Sequence, residues 1–275
     1  MKRKIKAAFC YFFTFATLLF SLPCYQGWTM VCSEEIGQDR SHQALTDVLQ
    51  AITEKITKKA EKVEEQCRAE DILFVYDIDD TVLKLASDSN IQGIRNSDQV
   101  IRSLHRQHVA TLALTARPVV LPKGIQFIQE EGPSLLQQHK ITQAEFDDKV
   151  NRILLNVHGF TYFNLKTVGI APKKNNPLFS DDQAELFSLN PQESPDYTNR
   201  SYLENVMFYN KGVLLSASHP KGAVLMRFLE LKNLKTRFKC IFYVDDNKSH
   251  INNMNEIFAA VPSLQLYSYH LPSPE

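Results

Sequence analysis

Glycine is scarce in this 275-residue chain, at nine residues, and no G-x-x-x-x-G-K-[ST] or G-x-G-x-x-G pattern occurs. P-loop and dinucleotide-fingerprint enzymes use such runs to bring backbone N–H groups against phosphate, so both classes are set aside. Charge of one sign is also missing, since 31 Lys+Arg balance 31 Asp+Glu. That balance argues against a protein built to coat nucleic acid. Five cysteines contain no C-x-x-C pair, so neither a zinc knuckle nor thioredoxin-like chemistry is indicated. Internal repeats and low-complexity tracts are absent. What remains is an ordinary globular composition, 44% hydrophobic and 23% charged, on a length that supports one large or two small cores.

The one uncharged apolar run of any length is Ala7 to Phe20, behind Lys2, Arg3, Lys4 and Lys6. A spanning helix needs roughly 20 apolar residues, so residues 1–24 are expected to be a removable signal peptide, with an uncleaved membrane anchor and a lipid anchor as the alternatives. The chain is then exported, periplasmic or secreted, with no membrane contact after signal removal. Its mature form carries 27 basic against 31 acidic residues. In an oxidising compartment Cys32, Cys67 and Cys240 allow one disulfide, and the spacing does not choose the pair.

Residues 41–68 follow a helical pattern, with Leu45, Val48, Leu49, Ile52, Ile56, Ala60 and Val63 on one face. Beyond it come short apolar runs that suit strands buried on both faces: 72–76, 110–114, 213–217, 241–244 and 264–269. Helical patterns at 99–108, 221–231 and 249–260 alternate with them. The expected fold is therefore α/β, a doubly wound, Rossmann-like parallel sheet over residues 69–275. Residues 118–205 break the rhythm. They are too long for a connection and are expected to form a mainly helical cap or subdomain, with helices near 125–139 and 143–157 and a loop over 175–199.

Chemistry in such a sheet sits beyond the carboxyl ends of the strands. Those ends carry Asp77-Ile-Asp79-Asp80-Thr81, Thr115-Ala-Arg117, Ser218-His-Pro-Lys221 and Asp245-Asp246-Asn247. Asp77, Asp79, Asp245 and Asp246 come from two strand ends, and converging them requires a cation. Hard oxygen ligands suit Mg²⁺. An EF-hand is excluded, because its glycine position holds Val82. Ser218 is a candidate N-cap, which puts Lys221 in a first helical turn, against the dipole. That placement makes sense beside a bound anion. Paired carboxylates, a metal, the Thr115 hydroxyl and a lysine together point to phosphoryl transfer through an aspartyl-phosphate.

These four segments, in this order, resemble the four motifs of the haloacid dehalogenase superfamily of phosphatases and phosphotransferases. FVYDIDDTV is similar to its D-x-D-x-T motif, LALT to its strand ending in Thr or Ser, Lys221 to its lysine motif and FYVDDNK to its acidic motif. The likeness extends to exported members from Gram-negative bacteria. It implies Asp77 as nucleophile, Asp79 as general acid and base, and Thr115 and Lys221 as phosphoryl ligands. Asp77, the Asp79 carbonyl and Asp245 or Asp246 are implied as Mg²⁺ ligands. Thr81 in the fifth motif position fits phosphatases rather than dehalogenases. The implied substrate is a small phosphomonoester; a phosphotransferase and a secreted interaction protein with little turnover are the alternatives. Asp80 is expected to be a turn residue or helper, and Arg117 either a substrate ligand or a partner of the acidic cluster. His219 and His250 flank the motifs. Tyr162, Phe163, Phe179 and Phe187 are expected in the core of the insertion. Oligomeric state is left open.

Overall fold

The computed structural model describes residues 31–35, 44–57, 67–85, 90–173, 176, 178, 184–189 and 205–273. The expected signal at 1–24, most of the 175–199 loop and Phe179 lie outside the described residues. In chain order the strands are β1 (Val31–Glu35), β2 (Ile72–Tyr76), β3 (Leu83–Leu85), β4 (Ile91–Gly93), β5 (Ala110–Thr115), β6 (Glu185–Phe187), β7 (Met207–Asn210), β8 (Val213–Leu215), β9 (Cys240–Asp245) and β10 (Gln265–His270). The helices are α1 (Ala44–Thr57), α2 (Ser97–Arg106), α3 (Pro122–Gln126), α4 (Gly132–Gln137), α5 (Gln143–Thr167), α6 (Lys221–Leu231) and α7 (Lys248–Ala259).

Eight strands make the central sheet in the order β1-β10-β9-β2-β5-β8-β7-β6. It is parallel from β1 to β8, and β7 and β6 are added antiparallel at one edge. The alternation of β2 explains why helices must cover both faces. Ile72, Phe74 and Tyr76 join an apolar cluster with Val48 of α1, Leu104 of α2 and Leu165 of α5. Leu73 and Val75 join a second with Phe228 of α6 and Met254 of α7. Burying each such side chain stabilises the fold by roughly 1.5–3 kcal/mol. The result is an α/β protein whose mostly parallel sheet is flanked by helices, compatible with a Rossmann-like core.

The chain steps from β2 to β5 to β8 in one direction, then α6 returns it to β9 on the other side of β2. Strand order therefore reverses beside β2, and ligand crevices form beyond the carboxyl ends at such a reversal.

Several features depart from the expectation. β1 pairs with β10, although Val-Cys-Ser-Glu-Glu has no apolar alternation; the main-chain ladder places it. β6 lies inside the expected loop. The β7–β8 hairpin turns at Lys211 (φ 49°) and Gly212 (φ 79°), the doubly left-handed turn that suits the twist of a two-residue hairpin. α5 runs to Thr167, ten residues beyond the expected end at 157, from a Thr142–Glu145 capping box. Its Val157 and Leu165 are in the same cluster as β2, so the described part of the insertion packs on the core sheet. Phe163 is not in that core: it is 62% exposed. Tyr162 and Phe187 are partly buried against the two clusters. Of the expected 41–68 helix, α1 covers 44–57. Cys67 and Cys240 form a disulfide.

Candidate functional site

Asp77 is the first residue past β2, and its N–H still donates to Val244 O at 3.0 Å. The parallel ladder thus delivers Asp77 and the last residue of β9, Asp245, to one place. Both are buried, at 5% and 0% exposed. Asp77, Asp245 and Asp246 each offer a carboxylate oxygen, all within 4.8 Å of one another. Asp79, the fourth expected carboxylate, is outside this cluster.

The expected N-cap at Ser218 is not formed. Ala217 and Ser218 are left-handed (φ 51° and 62°), and their N–H groups donate to Arg117 O and Ala116 O. The Ser218 hydroxyl donates to Ala116 O at 3.2 Å, in the neighbouring loop. These bonds tie the two strand-end loops together and delay the helix until Pro220, which occupies the N-cap position of α6. Lys221 is then the first helical residue and points inward, 1% exposed. Its Nζ donates to Asp77 Oδ1 at 2.5 Å and to Asp245 Oδ2 at 2.7 Å. A buried ammonium persists only with such partners.

Burial drives Asp77 above the usual carboxylate range, with Asp245 adding to the rise, although Lys221 pulls the other way. Burial also penalises Asp245, but His250 and Lys221 outweigh it and hold that carboxyl below its ordinary value. For Lys221, burial disfavours the ammonium, and Asp77 and Asp245 overcome it, leaving its pKa raised.

Around this centre the polar groups interlock. Thr81 donates to Asp77 Oδ2 at 3.1 Å and accepts from the Asp246 N–H at 3.0 Å, so it bridges the two strand ends. Asp245 also accepts from the Asn247 N–H at 2.8 Å and from the Tyr243 hydroxyl. His250 Nδ1 lies 3.2 Å from both Asp245 oxygens. Ser273 donates to Asp246 Oδ2 at 2.7 Å. Arg95, buried and left-handed at φ 57°, donates to the carbonyls of Asp80 and Thr81 on one side and Leu271 on the other. It staples the loop after Asp77 to the segment after β10. Arg95 and Ser273 escape a reading of the sequence because their partners are up to 177 and 27 residues away, and Tyr243 because a tyrosine inside an apolar strand reads as core. His250 can be suspected from its place near Asp245-Asp246.

Thr115, at the end of β5, is fully buried and its Oγ1 lies 3.5 Å from Asp79 Oδ2. Asp79 itself is half exposed and paired with Arg117, Nη2 to Oδ1 at 2.6 Å and Nε to Oδ2 at 2.9 Å. Arg117 thus pairs with Asp79, outside the three-carboxylate cluster. Asp80 is an exposed, left-handed turn residue (φ 57°). His219 is buried at 3% exposed and its Nε2 lies 3.0 Å from Asn205 O.

The donor set is chemically suited to a hard divalent cation: three carboxylates converge, and one lysine offsets only part of their charge. No helix among the described residues is long and apolar enough to cross a membrane. No curated protein and no solved structure matches this chain. A family model does match, over residues 43–270, and so spans α1 through β10 and every side chain of the site except Ser273. The chain belongs to the family described as Protein of unknown function (DUF2608).

Proposed function

We propose that this protein is a Mg²⁺-dependent phosphomonoester hydrolase of the haloacid dehalogenase type, with α3 to α5 serving as its cap. The observation that carries the reading is the convergence of Asp77, Asp245 and Asp246 within 4.8 Å beside a buried lysine, at the carboxyl ends of parallel strands. Asp77, Asp245, Asp246 and the Asp79 carbonyl are the groups that would hold Mg²⁺. Bound there, the ion supplies Lewis-acid stabilisation of charge on the phosphoryl oxygens.

The chain's own residues perform the steps. A carboxylate oxygen of Asp77 attacks phosphorus, the ester P–O bond breaks, and Asp79 gives its proton to the leaving oxygen. Asp79 then takes a proton from water as the water attacks the aspartyl-phosphate, which frees phosphate and restores Asp77. Thr115 and Lys221 hold the non-bridging oxygens through both halves. Thr81 keeps Asp77 in register with Asp246. The Cys67–Cys240 disulfide supports an exported location, periplasmic or secreted, since such bonds persist in oxidising compartments.

The test is hydrolysis of p-nitrophenyl phosphate with Mg²⁺ and with EDTA, by the wild type and by Asp77→Asn. Turnover is expected only in the wild type with metal. Metal-independent turnover, or full activity in the variant, overturns the reading.

A further inference from the structure

Arg117 is held in a way that the proposed reaction does not explain. Its Nη1 donates to Thr161 Oγ1 at 3.0 Å, and Thr161 is a fully buried residue of α5 whose own hydroxyl donates to Val157 O. The guanidinium is therefore anchored on one nitrogen by the insertion helix. Its backbone is fixed as well, because the Ala217 N–H donates to Arg117 O at 3.2 Å. What is left is the Nε/Nη2 edge, a two-pronged donor. That edge grips both oxygens of Asp79, whose side chain is 54% exposed while that of Arg117 is 19% exposed.

This grip matters for Asp79. With both oxygens accepting from Arg117, Asp79 is held as a charged carboxylate by the guanidinium, whereas general acid catalysis needs it protonated. Water competes poorly with a two-pronged charged pair, whereas a second oxyanion competes on equal terms, because carboxylates and phosphates match the same fork. The buried cation of the site belongs to the reacting centre: Lys221 is 1% exposed and lies against Asp77 and Asp245, where the phosphoryl group itself would sit. Arg117, by contrast, is paired with a solvent-facing carboxylate, so an incoming group can reach its fork by displacing Asp79.

We infer that the Nε/Nη2 edge of Arg117 is a specificity subsite for a second anionic group, so that the substrate is a phosphomonoester that also carries a carboxylate or a second phosphate. The inference rests on the phosphomonoesterase reading above. Binding exchanges one oxyanion for another on Arg117, and the freed Asp79 carboxylate, open to solvent, takes a proton from water and presents it to the leaving oxygen, with Thr161 holding the guanidinium in place during the exchange.

The experiment compares kcat/KM with Mg²⁺ for phenyl phosphate, for its three carboxyphenyl isomers and for a bisphosphate of the same ring, in the wild type, Arg117→Gln and Arg117→Lys. The wild type is expected to prefer at least one doubly anionic substrate by about tenfold or more, the scale of one charged two-pronged contact. Arg117→Gln is expected to bring that ratio to about one, and Arg117→Lys, which keeps charge without the fork, to an intermediate value. Preference for a carboxyphenyl phosphate or for the bisphosphate tells carboxylate from phosphate. Equal use of phenyl phosphate and every doubly anionic substrate by an active wild type overturns the subsite and leaves the hydrolase standing. A preference that survives in both variants does the same. Absence of turnover on every substrate, p-nitrophenyl phosphate included, overturns the hydrolase and the subsite together.

Discussion

Lys221→Met tests whether the centre of the site is a charge cluster that needs its lysine. The ammonium is 1% exposed and is bonded at 2.5 Å and 2.7 Å to carboxylates that are themselves 5% and 0% exposed. Removing one partner of a buried ion pair costs about 3–5 kcal/mol, because the remaining charge stays desolvated. Two features of the site moderate that cost. Burial already drives Asp77 upward, so it can take a proton, and Asp245 keeps His250 as a neighbour. The lower end, about 3 kcal/mol, is therefore expected. For a domain of this size each kcal/mol moves Tm by about 2–4 °C, so the variant should melt about 6–12 °C below the wild type. Circular dichroism melts at pH 7 in EDTA measure this directly. Adding Mg²⁺ should raise the variant's Tm more than the wild type's, since the ion no longer competes with an ammonium for Asp77 and Asp245. The double variant Asp77→Asn/Lys221→Met should recover at least half of the lost stability, as Asp77 then no longer adds a buried charge beside Asp245. A Lys221→Met protein within ~2 °C of the wild type in EDTA would refute the reasoning, for it would mean that the pair contributes no more than a surface contact.

Three further outcomes follow from the same structure. His250→Asn should weaken Mg²⁺ binding by about tenfold or more, because the imidazole that orients Asp245 is lost; calorimetric titration giving an unchanged affinity would remove His250 from the site. Burial pushes His105 down to about 4, with Lys173 adding to the fall. Between that value and its ordinary 6.5 the unfolded chain binds a proton that the native state refuses, so stability is full above about pH 6.5 and falls as pH drops toward 4, by up to about 3 kcal/mol. His105→Gln should flatten that acid limb of a urea-denaturation series, and an unchanged limb would count against the assignment. Cys67→Ser opens a link between residues 173 apart; chain entropy for so long a loop puts the loss at about 5 kcal/mol, read as a lower urea midpoint in variant and reduced wild type alike.

Much of the fold is legible in the sequence because the sheet is buried on both faces. Apolar runs such as Ile72–Tyr76 and Cys240–Asp245 have no other place to go, and the helix at Lys221–Leu231 starts and stops where its pattern does. The elements that escape notice are those whose order comes from partners rather than from pattern. β1 lacks a strand pattern and depends on β10, β6 is three residues long and depends on β7, and the extension of α5 to Thr167 depends on the sheet beneath Leu165.

The site divides in the same way. Asp77, Thr115, Lys221, Asp245 and Asp246 stand at strand and helix ends, and residue type and position suffice to mark them. Sequence alone therefore determines which groups reach the carboxyl edge, because strand periodicity dictates where each strand ends. Tertiary structure alone decides whom they meet. It gathers Asp77, Asp245 and Asp246 and leaves Asp79 to Arg117; it sets His250 against Asp245, His219 against Asn205 O, and Cys67 against Cys240. The physical reason is that strand order, and not strand sequence, places β9 beside β2 and α5 over Arg117, so distances across the sheet are fixed by topology that no local stretch of chain encodes.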